Sequence, residues 1–513
     1  MLAHEVLSEE LERLSLYPVF GNPGTTELPM LQSVSSYILT LHDSIALGMA
    51  DGYAQSRRKP SVCSLHTVPG LGNSMAFLHT ASMNRSPVVV TAGQQDYRHM
   101  FYEPILSGPT ETMASPFVKY HYEIRDPNDI SRSLRRAYQI ALAPPSGPVF
   151  LSFPMNIMDK ESGEVTGKFG TELENTYDDK ATMEIMQMLN SAENPALILG
   201  YEIDAFSAMD VAVEFAHRLG LKVFSEPLAS RSPYPSEDQQ FAGDLPPASA
   251  LINMMLADCD FVLIVGGNLT LYPFTPAPLL PGKTVVSVGF ESPQRADFTV
   301  RMHPGEFLKN ALKYGKKNWN YRRPKDYSLL SEVARARKRL DPLYFIHGIR
   351  ESLKGYSVVD EAISASPVLR RVLGYGSDRY FTAKSGQLGW GLAAGAGIAL
   401  SGKKTLSVVG DGSFLYTVQA LWTLKRYGIP LKVLVLDNGG YSILRSFASS
   451  YYPNMRDLDY LRPEIDVVAI ARSFGIETDE CDPDLKALSW LSEGDGPKVL
   501  VAHTNSDVPK LFL

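Results

Sequence analysis

Short apolar runs alternate with helical segments along nearly the whole chain, and few folds accommodate that alternation. VFGN (19–22), YILTL (37–41), SVCSL (61–65), PVVVTAG (87–93) and PVFLSF (148–153) read as strands, with helical spacing in SIALGMADGYAQS and NSMAFLHTASM between them. Strand, helix and strand in repetition build parallel sheets with crossover helices, and such sheets bind ligands at the carboxyl ends of their strands. A polar interval, DKESGEVTGKFGTELENTYDDK (159–180), reads as a linker. A second block carries PALILG (195–200), KVFSE (222–226), DFVLIVGG (260–267) and KTVVSVGF (283–290). After the basic stretch KYGKKNWNYRRPKDY (313–327), a third carries YSVVDE (356–361), KTLSVVGDG (404–412), LKVLVLDNGG (431–440) and KVLVAHT (498–504). The expectation is an α/β chain of three domains, 1–165, 180–315 and 335–513. A length of 513 residues, too great for one core, agrees with it.

The totals exclude several classes. A net charge of -7 gives no electrostatic case for nucleic acid or an acidic membrane. The basic stretch lacks the aromatic platform of a nucleic-acid site and reads as a solvated connection. Cys63, Cys259 and Cys481 are odd in number and far apart, so buried thiols are expected rather than disulfides or zinc ligands. No run of about 18 apolar residues exists, so no membrane span is expected. The N-terminal MLAHEVLSEELERLSLYP is amphipathic and acidic without a signal-peptide core, and the cytosol is the expected compartment.

The most specific segment is GDGSFLYTVQALWTLKRYGIPLKVLVLDNGGYSIL (410–444). One strand ends in Gly410-Asp411-Gly412, a helix follows, and a second strand ends in Asp437-Asn438-Gly439-Gly440. Both strands deliver polar groups to one sheet edge, which sets Asp411 and Asn438 side by side. A carboxylate, an amide oxygen and the main-chain carbonyl of Gly440 suit a hard divalent cation such as Mg²⁺, with phosphate oxygens completing the shell. Gly410 and Gly412 let the backbone approach closely, and Ser413 at the helix start can hydrogen-bond a phosphate. Either turn alone is commonplace; the pair, each after an apolar strand, is not.

This combination resembles the cofactor motif of the thiamine diphosphate-dependent 2-oxo acid decarboxylases, with the benzoylformate decarboxylase branch most similar. VFGNPGTTELPML, ADGYAQSRRKP, SLHTVPGLGN, SPVVVTAGQQ, GPVFLSFP and SGQLGWGLAAGAGIAL extend the resemblance collinearly along the chain. It implies a pyrimidine-binding domain, a middle domain and a diphosphate-binding domain. It also implies thiamine diphosphate and Mg²⁺ as cofactors, held between subunits of a homo-oligomer, a dimer at minimum and a tetramer commonly. Leu388 would lie under the bent cofactor, with Gly386 supplying a carbonyl to its amino group. Ser364, Ser413 and Tyr441 align with the diphosphate contacts, while Ile363 stands where the branch has a hydroxyl. His66 aligns with the active-site histidine, and Thr25 with a serine that holds the substrate carboxylate. Read from the residues alone, Leu388 is equally a core leucine at a helix start, and Thr25 equally the N-cap of TTELPMLQ. The GLGNSM after His66 has a faint likeness to a dinucleotide loop.

Two positions depart from the family. In LHDSIALGMADGYAQ the place of the catalytic glutamate, which protonates the aminopyrimidine, is taken by Asp43. It is shorter by about 1.5 Å, one C–C bond, and its alternative role is a helix cap. In GGNLTLYPFTPAP (266–278) Pro273 replaces a second active-site histidine. The resemblance implies non-oxidative decarboxylation of a small-molecule 2-oxo acid. The altered acids leave two alternatives: carboligation or lysis of the acetolactate synthase type, and cofactor binding with little turnover. Nothing in 180–315 resembles a flavin site.

Overall fold

The structure is a computed structural model that describes residues 1–163, 176–272, 277–458, 463–481 and 483–507. Pro273 and most of the expected linker lie outside the described residues. Three six-stranded parallel sheets, flanked by helices, account for the strand blocks. The first contains β1 (Val19–Gly21), β2 (Tyr37–Leu39), β3 (Ser61–Leu65), β4 (Val88–Gln94), β5 (His121–Glu123) and β6 (Val149–Pro154), ordered β2-β1-β3-β4-β6-β5. The middle sheet contains β7 (Pro195–Leu199), β8 (Lys222–Ser225), β9 (Phe241–Asp244), β10 (Phe261–Val265), β11 (Thr284–Val288) and β12 (Phe298–Val300), ordered β12-β11-β10-β7-β8-β9. The third contains β13 (Ser357–Glu361), β14 (Tyr380–Thr382), β15 (Thr405–Gly410), β16 (Leu431–Asp437), β17 (Glu477–Glu480) and β18 (Lys498–His503), ordered β14-β13-β15-β16-β18-β17. By packing, the chain divides into two compact units: one carries the first sheet and most of the third, the other the middle sheet with Arg370–Lys384.

The central strands are buried on both faces, as SVCSL and VVVTAGQ are throughout, because crossover helices cover each side. Strand order reverses between β1 and β3 in the first sheet and between β13 and β15 in the third. The crevice beyond such a reversal is open at the carboxyl ends, where loops diverge to opposite faces.

Two helices carry the ends of these crevices. Helix Asp43–Arg57 follows β2, and helix Trp390–Leu400 precedes β15. They pack at backbone distance: a Cβ on Gly52 would stand 2.2 Å from the Ala394 carbonyl oxygen, and one on Gly397 2.0 Å from that of Met49. A buried hydrogen bond from Trp390 Nε1 to Asp51 Oδ2, 2.7 Å, joins the same pair. Asp51 also accepts from Gln55 (2.8 Å), Asn84 (3.2 Å) and the Ser86 hydroxyl, and its burial raises its pKa.

Four local expectations are corrected. The N-cap of helix Asp43–Arg57 is His42, whose ring accepts from Ser44 N, so Asp43 is the first helical residue and not the cap. The helix expected to begin at Thr25 begins at Leu28, after Glu27, and Thr25 is exposed in the preceding turn. The GLGNSM segment is no loop: helix Thr67–Met83 runs through it. Leu388 is neither core nor helical, because Gly389 adopts φ 89° before the helix starts at Trp390, and Leu388 remains partly exposed. The three cysteines are buried and free. Among the described residues no helix is long and apolar enough to cross a membrane.

Candidate active site

At the open edge of the first sheet, three consecutive segments converge. Asn22 to Glu27 follow β1, Asp43 follows β2, and His66 follows β3 as the residue before helix Thr67–Met83. Asp43 is buried. Its Oδ1 accepts from His66 N at 3.2 Å and its Oδ2 from the Asn22 side chain at 3.3 Å. Only a glycine at 70 leaves room for it, since a Cβ there would stand 2.4 Å from Asp43 Oδ1.

The sequence reading missed the most heavily bonded group of this edge. Glu27 is fully buried and accepts from three backbone amides: Gly24 (2.9 Å), Thr67 (3.1 Å) and Gly93 (3.0 Å). Its Oε2 also pairs with His66 Nδ1 at 2.7 Å. A carboxylate with this many donors is held in place, and it fixes which ring nitrogen of His66 faces inward. Nε2 is the ring nitrogen not paired with Glu27. The signal was in plain view: Glu27 is a lone carboxylate in GNPGTTELPML.

At the open edge of the third sheet, β15 and β16 are in register, Gly410 beside Leu436. Asp411, Asn438 and Gly440 are brought together: Gly440 N donates to Asp411 Oδ2 at 3.2 Å and to Asn438 Oδ1 at 3.1 Å. The Asp411 carboxyl is pushed up to about 7, by its burial first and by the Asp437 carboxylate among the further causes. Asp437, read from the sequence only as the end of its strand, is held by His503 Nδ1 at 2.9 Å and Gly439 N at 3.2 Å.

The other expected cofactor residues border this edge. Gly410 is the N-cap of helix Asp411–Tyr416, Ser413 lies buried in its first turn, and a Cβ on Gly412 would collide with the Tyr441 ring at 2.2 Å. Tyr441 itself is the N-cap residue of helix Ser442–Tyr451. Ser364 is partly exposed just past β13, beside Ile363 at φ 49°. Gly386 is exposed at φ 75° with open space where a Cβ would be.

Comparison with known proteins agrees with this architecture. Residues 1–105 match the N-terminal TPP binding domain of thiamine pyrophosphate enzymes, 182–300 their central domain and 366–502 their C-terminal TPP binding domain. The chain belongs to the thiamine pyrophosphate enzyme family. Among its relatives, the benzoylformate decarboxylase of Pseudomonas aeruginosa is 31% identical over 503 residues, covering 92% of this chain and 93% of that one. The crystal structure of benzoylformate decarboxylase from Polynucleobacter necessarius superposes with a TM-score of 0.91 at 29% identity, covering 99% of each chain. The acetolactate synthase large subunit of Lactococcus lactis is 24% identical, covering 92% of this chain and 87% of its own.

The third-sheet edge fits the cofactor of this family. Asp411, raised in pKa by its burial first and by the facing Asp437 carboxylate as well, is a group whose charge a bound cation would offset. Open space at the would-be Cβ atoms of Gly410 and Gly439 leaves the backbone accessible to a phosphate.

Proposed function

We propose that this thiamine pyrophosphate enzyme catalyses the non-oxidative decarboxylation of a 2-oxo acid, with Mg²⁺ anchoring the cofactor's diphosphate. The observation that carries the proposal is the convergence of Asp411, Asn438 and Gly440 beside Asp437 at one sheet edge. Relatives named as benzoylformate decarboxylases, similar over nearly the whole chain, support it.

Thiamine diphosphate supplies, when bound, a nucleophilic carbon that adds to a ketone and then takes up the electrons released with CO₂. The protein's part is to bind, orient and move protons. The Asp411 and Asn438 side chains and the Gly440 carbonyl would hold Mg²⁺, with Ser413, Ser364 and Tyr441 on the diphosphate and the Gly410 and Gly412 backbone closing round it. Leu388 and Gly386, in the loop before helix Trp390–Leu400, would hold the cofactor's organic part. Asp43 would exchange a proton with the aminopyrimidine, over a longer reach than a glutamate needs. Thr25, exposed at the crevice, would take the substrate carboxylate. His66 would orient or protonate the reacting carbon through Nε2, with Glu27 holding its Nδ1. A homo-oligomer, dimeric at minimum and tetrameric as the working form, belongs to the same proposal; Phe101 and Ile105, 89% and 85% exposed, are surface that assembly would cover.

A second reading, carboligation, is favoured by Asp43 and by the acetolactate synthase relatives. Slow protonation leaves more time for an aldehyde to be captured. Measuring CO₂ release from aryl and alkyl 2-oxo acids with thiamine diphosphate and Mg²⁺, with and without added aldehyde, tests both. Free aldehyde product is expected. Ligated product alone would replace the first reading with the second, and no uptake of cofactor by calorimetry would overturn both.

A further inference from the structure

The last residue of β13, Glu361, lies at the centre of three segments assigned above to the cofactor. Its side chain is buried, 3% exposed. One oxygen, Oε1, accepts from Gly389 N, and the other, Oε2, accepts from Gly391 N at 2.6 Å. The Ser413 hydroxyl lies near the same carboxyl group. Gly389 closes the loop that contains Gly386 and Leu388, Ser413 lies in the first turn of the helix after β15, and Ser364 follows Glu361 by three positions.

The tie to Gly389 is made from both sides. Its amide is held by Glu361 and its carbonyl accepts from Thr417 Oγ1 at 2.7 Å. Its φ of 89° is open to glycine and strained for other residues, and a Cβ there would stand 2.7 Å from Tyr416 Cβ. At Gly391 a Cβ would meet Glu361 Cβ and Oε2, each at 2.8 Å, so the carboxyl fills its space completely. Gly386, at the other end of the loop, has nothing within reach of a Cβ. The loop is therefore free where it would touch a ligand and fixed where Glu361 grips it.

Burying a carboxyl group is a costly way to satisfy two amides, which a main-chain carbonyl or a water does more cheaply. What a carboxyl offers is two acceptor oxygens in one plane on one rigid strand end, so that donors from different segments share a single reference point. Resting on the reading of this edge as the diphosphate site, we infer that Glu361 is a positioning residue. It sets the Gly386–Leu388 loop and the Ser413 hydroxyl at a fixed separation, and so assembles the cofactor cradle before the cofactor arrives.

The test is Glu361→Gln in the full chain. The amide keeps the shape but turns an NH₂ toward one of the glycine amides, so one tie is lost. Hydrogen exchange by mass spectrometry, without cofactor, is expected to accelerate at least tenfold in peptides covering 385–391 and 411–414. Peptides of β16 and β18 should be unchanged. Calorimetry with thiamine diphosphate and Mg²⁺ is expected to show at least tenfold weaker binding, while thermal unfolding without cofactor stays cooperative. Should Glu361→Gln fail to fold, Glu361→Asp, which keeps the carboxyl group but retracts it, is read in the same way. Parent-like exchange in 385–391 together with parent-like affinity overturns the inference. If the parent chain binds no thiamine diphosphate, the functional proposal fails instead, and the exchange measurement still decides whether Glu361 ties the loop.

Discussion

Replacing Asp43 by glutamate separates the carboxylate's structural task from its proposed catalytic one. The added methylene lengthens the side chain by about 1.5 Å. It cannot extend toward the His66–Gly70 turn, where Oδ1 already lies 3.2 Å from His66 N and within 2.4 Å of a would-be Cβ on Gly70. The longer carboxylate must swing out toward the open edge and release the His66 amide. A hydrogen bond to a charged group contributes about 1.5–3 kcal/mol, which is the expected loss of stability without cofactor, read by urea unfolding. If the open edge receives the aminopyrimidine, a charge-assisted bond of the same size forms there. At about 1.4 kcal/mol per decade, proton exchange at the reactive carbon of bound cofactor accelerates roughly ten- to a hundredfold. NMR of acid-quenched samples in deuterated solvent measures that rate directly. Loss of stability with unchanged or slower exchange would refute the reasoning, leaving Asp43 as a fold residue that orders His66.

The remaining expectations concern buried carboxyl groups. Asp51→Ala strips one acceptor from four side-chain donors, Gln55, Asn84, Ser86 and Trp390, and should cost about 3–5 kcal/mol. A loss under about 1 kcal/mol by urea unfolding would show that those donors find other partners. Glu202 is pushed up to about 8, by burial first, although it accepts from the Phe290 and Glu291 amides at 3.0 Å each. A carboxyl with its folded pKa above its unfolded one contributes stability that is whole below the unfolded pKa of about 4.5. That contribution falls away as pH rises to the folded value of about 8. Calorimetric melting without cofactor should therefore drop across that window, and Glu202→Gln, whose amide oxygen can still accept from both backbone N–H groups, should flatten the drop. An identical pH dependence in the variant would remove Glu202 as its source.

The strands were readable because parallel strands covered on both faces are nearly continuous apolar runs, and the third-sheet edge because GDG and DNGG each close such a run. Boundaries that depend on one residue's backbone were not. Asp43 outranks His42 as a cap on intrinsic preference, yet His42 is the extended residue, φ -157°, and its ring takes the Ser44 amide. Leu388 reads as part of a helix until Gly389 is seen to turn left-handed. The missed site residues share another cause. Glu27 is bonded by amides that follow β1 and β3 and by one within β4, and Glu361 by amides at the start of one helix; no spacing in the sequence says which distant N–H groups a carboxylate will meet. What the sequence does offer is the oddity of a carboxylate closing an apolar run, as in YSVVDE.

The middle sheet shows how the same architecture can close the crevice that the other two leave open. Its strand order reverses between β7 and β10, where a parallel sheet would ordinarily receive a nucleotide. There the backbones of Gly200 and Gly267 touch: a Cβ on Gly200 would stand 2.1 Å from the Gly267 Cα. Glu202, Glu226 and Glu291 fill the space beyond. Glu226 accepts from Tyr201 N at 2.9 Å and Asn268 N at 2.6 Å, and it pairs with buried Lys384 at 3.2 Å. The backbone amides that would bind a diphosphate are thus already bound by the protein's own carboxylates. A flavin or nicotinamide dinucleotide would have to displace them and bring further negative charge against a cluster holding three acids and one lysine. The electrostatics that would make the third-sheet edge receptive to a cation and a diphosphate act at the middle sheet in the opposite sense, with the acids built in.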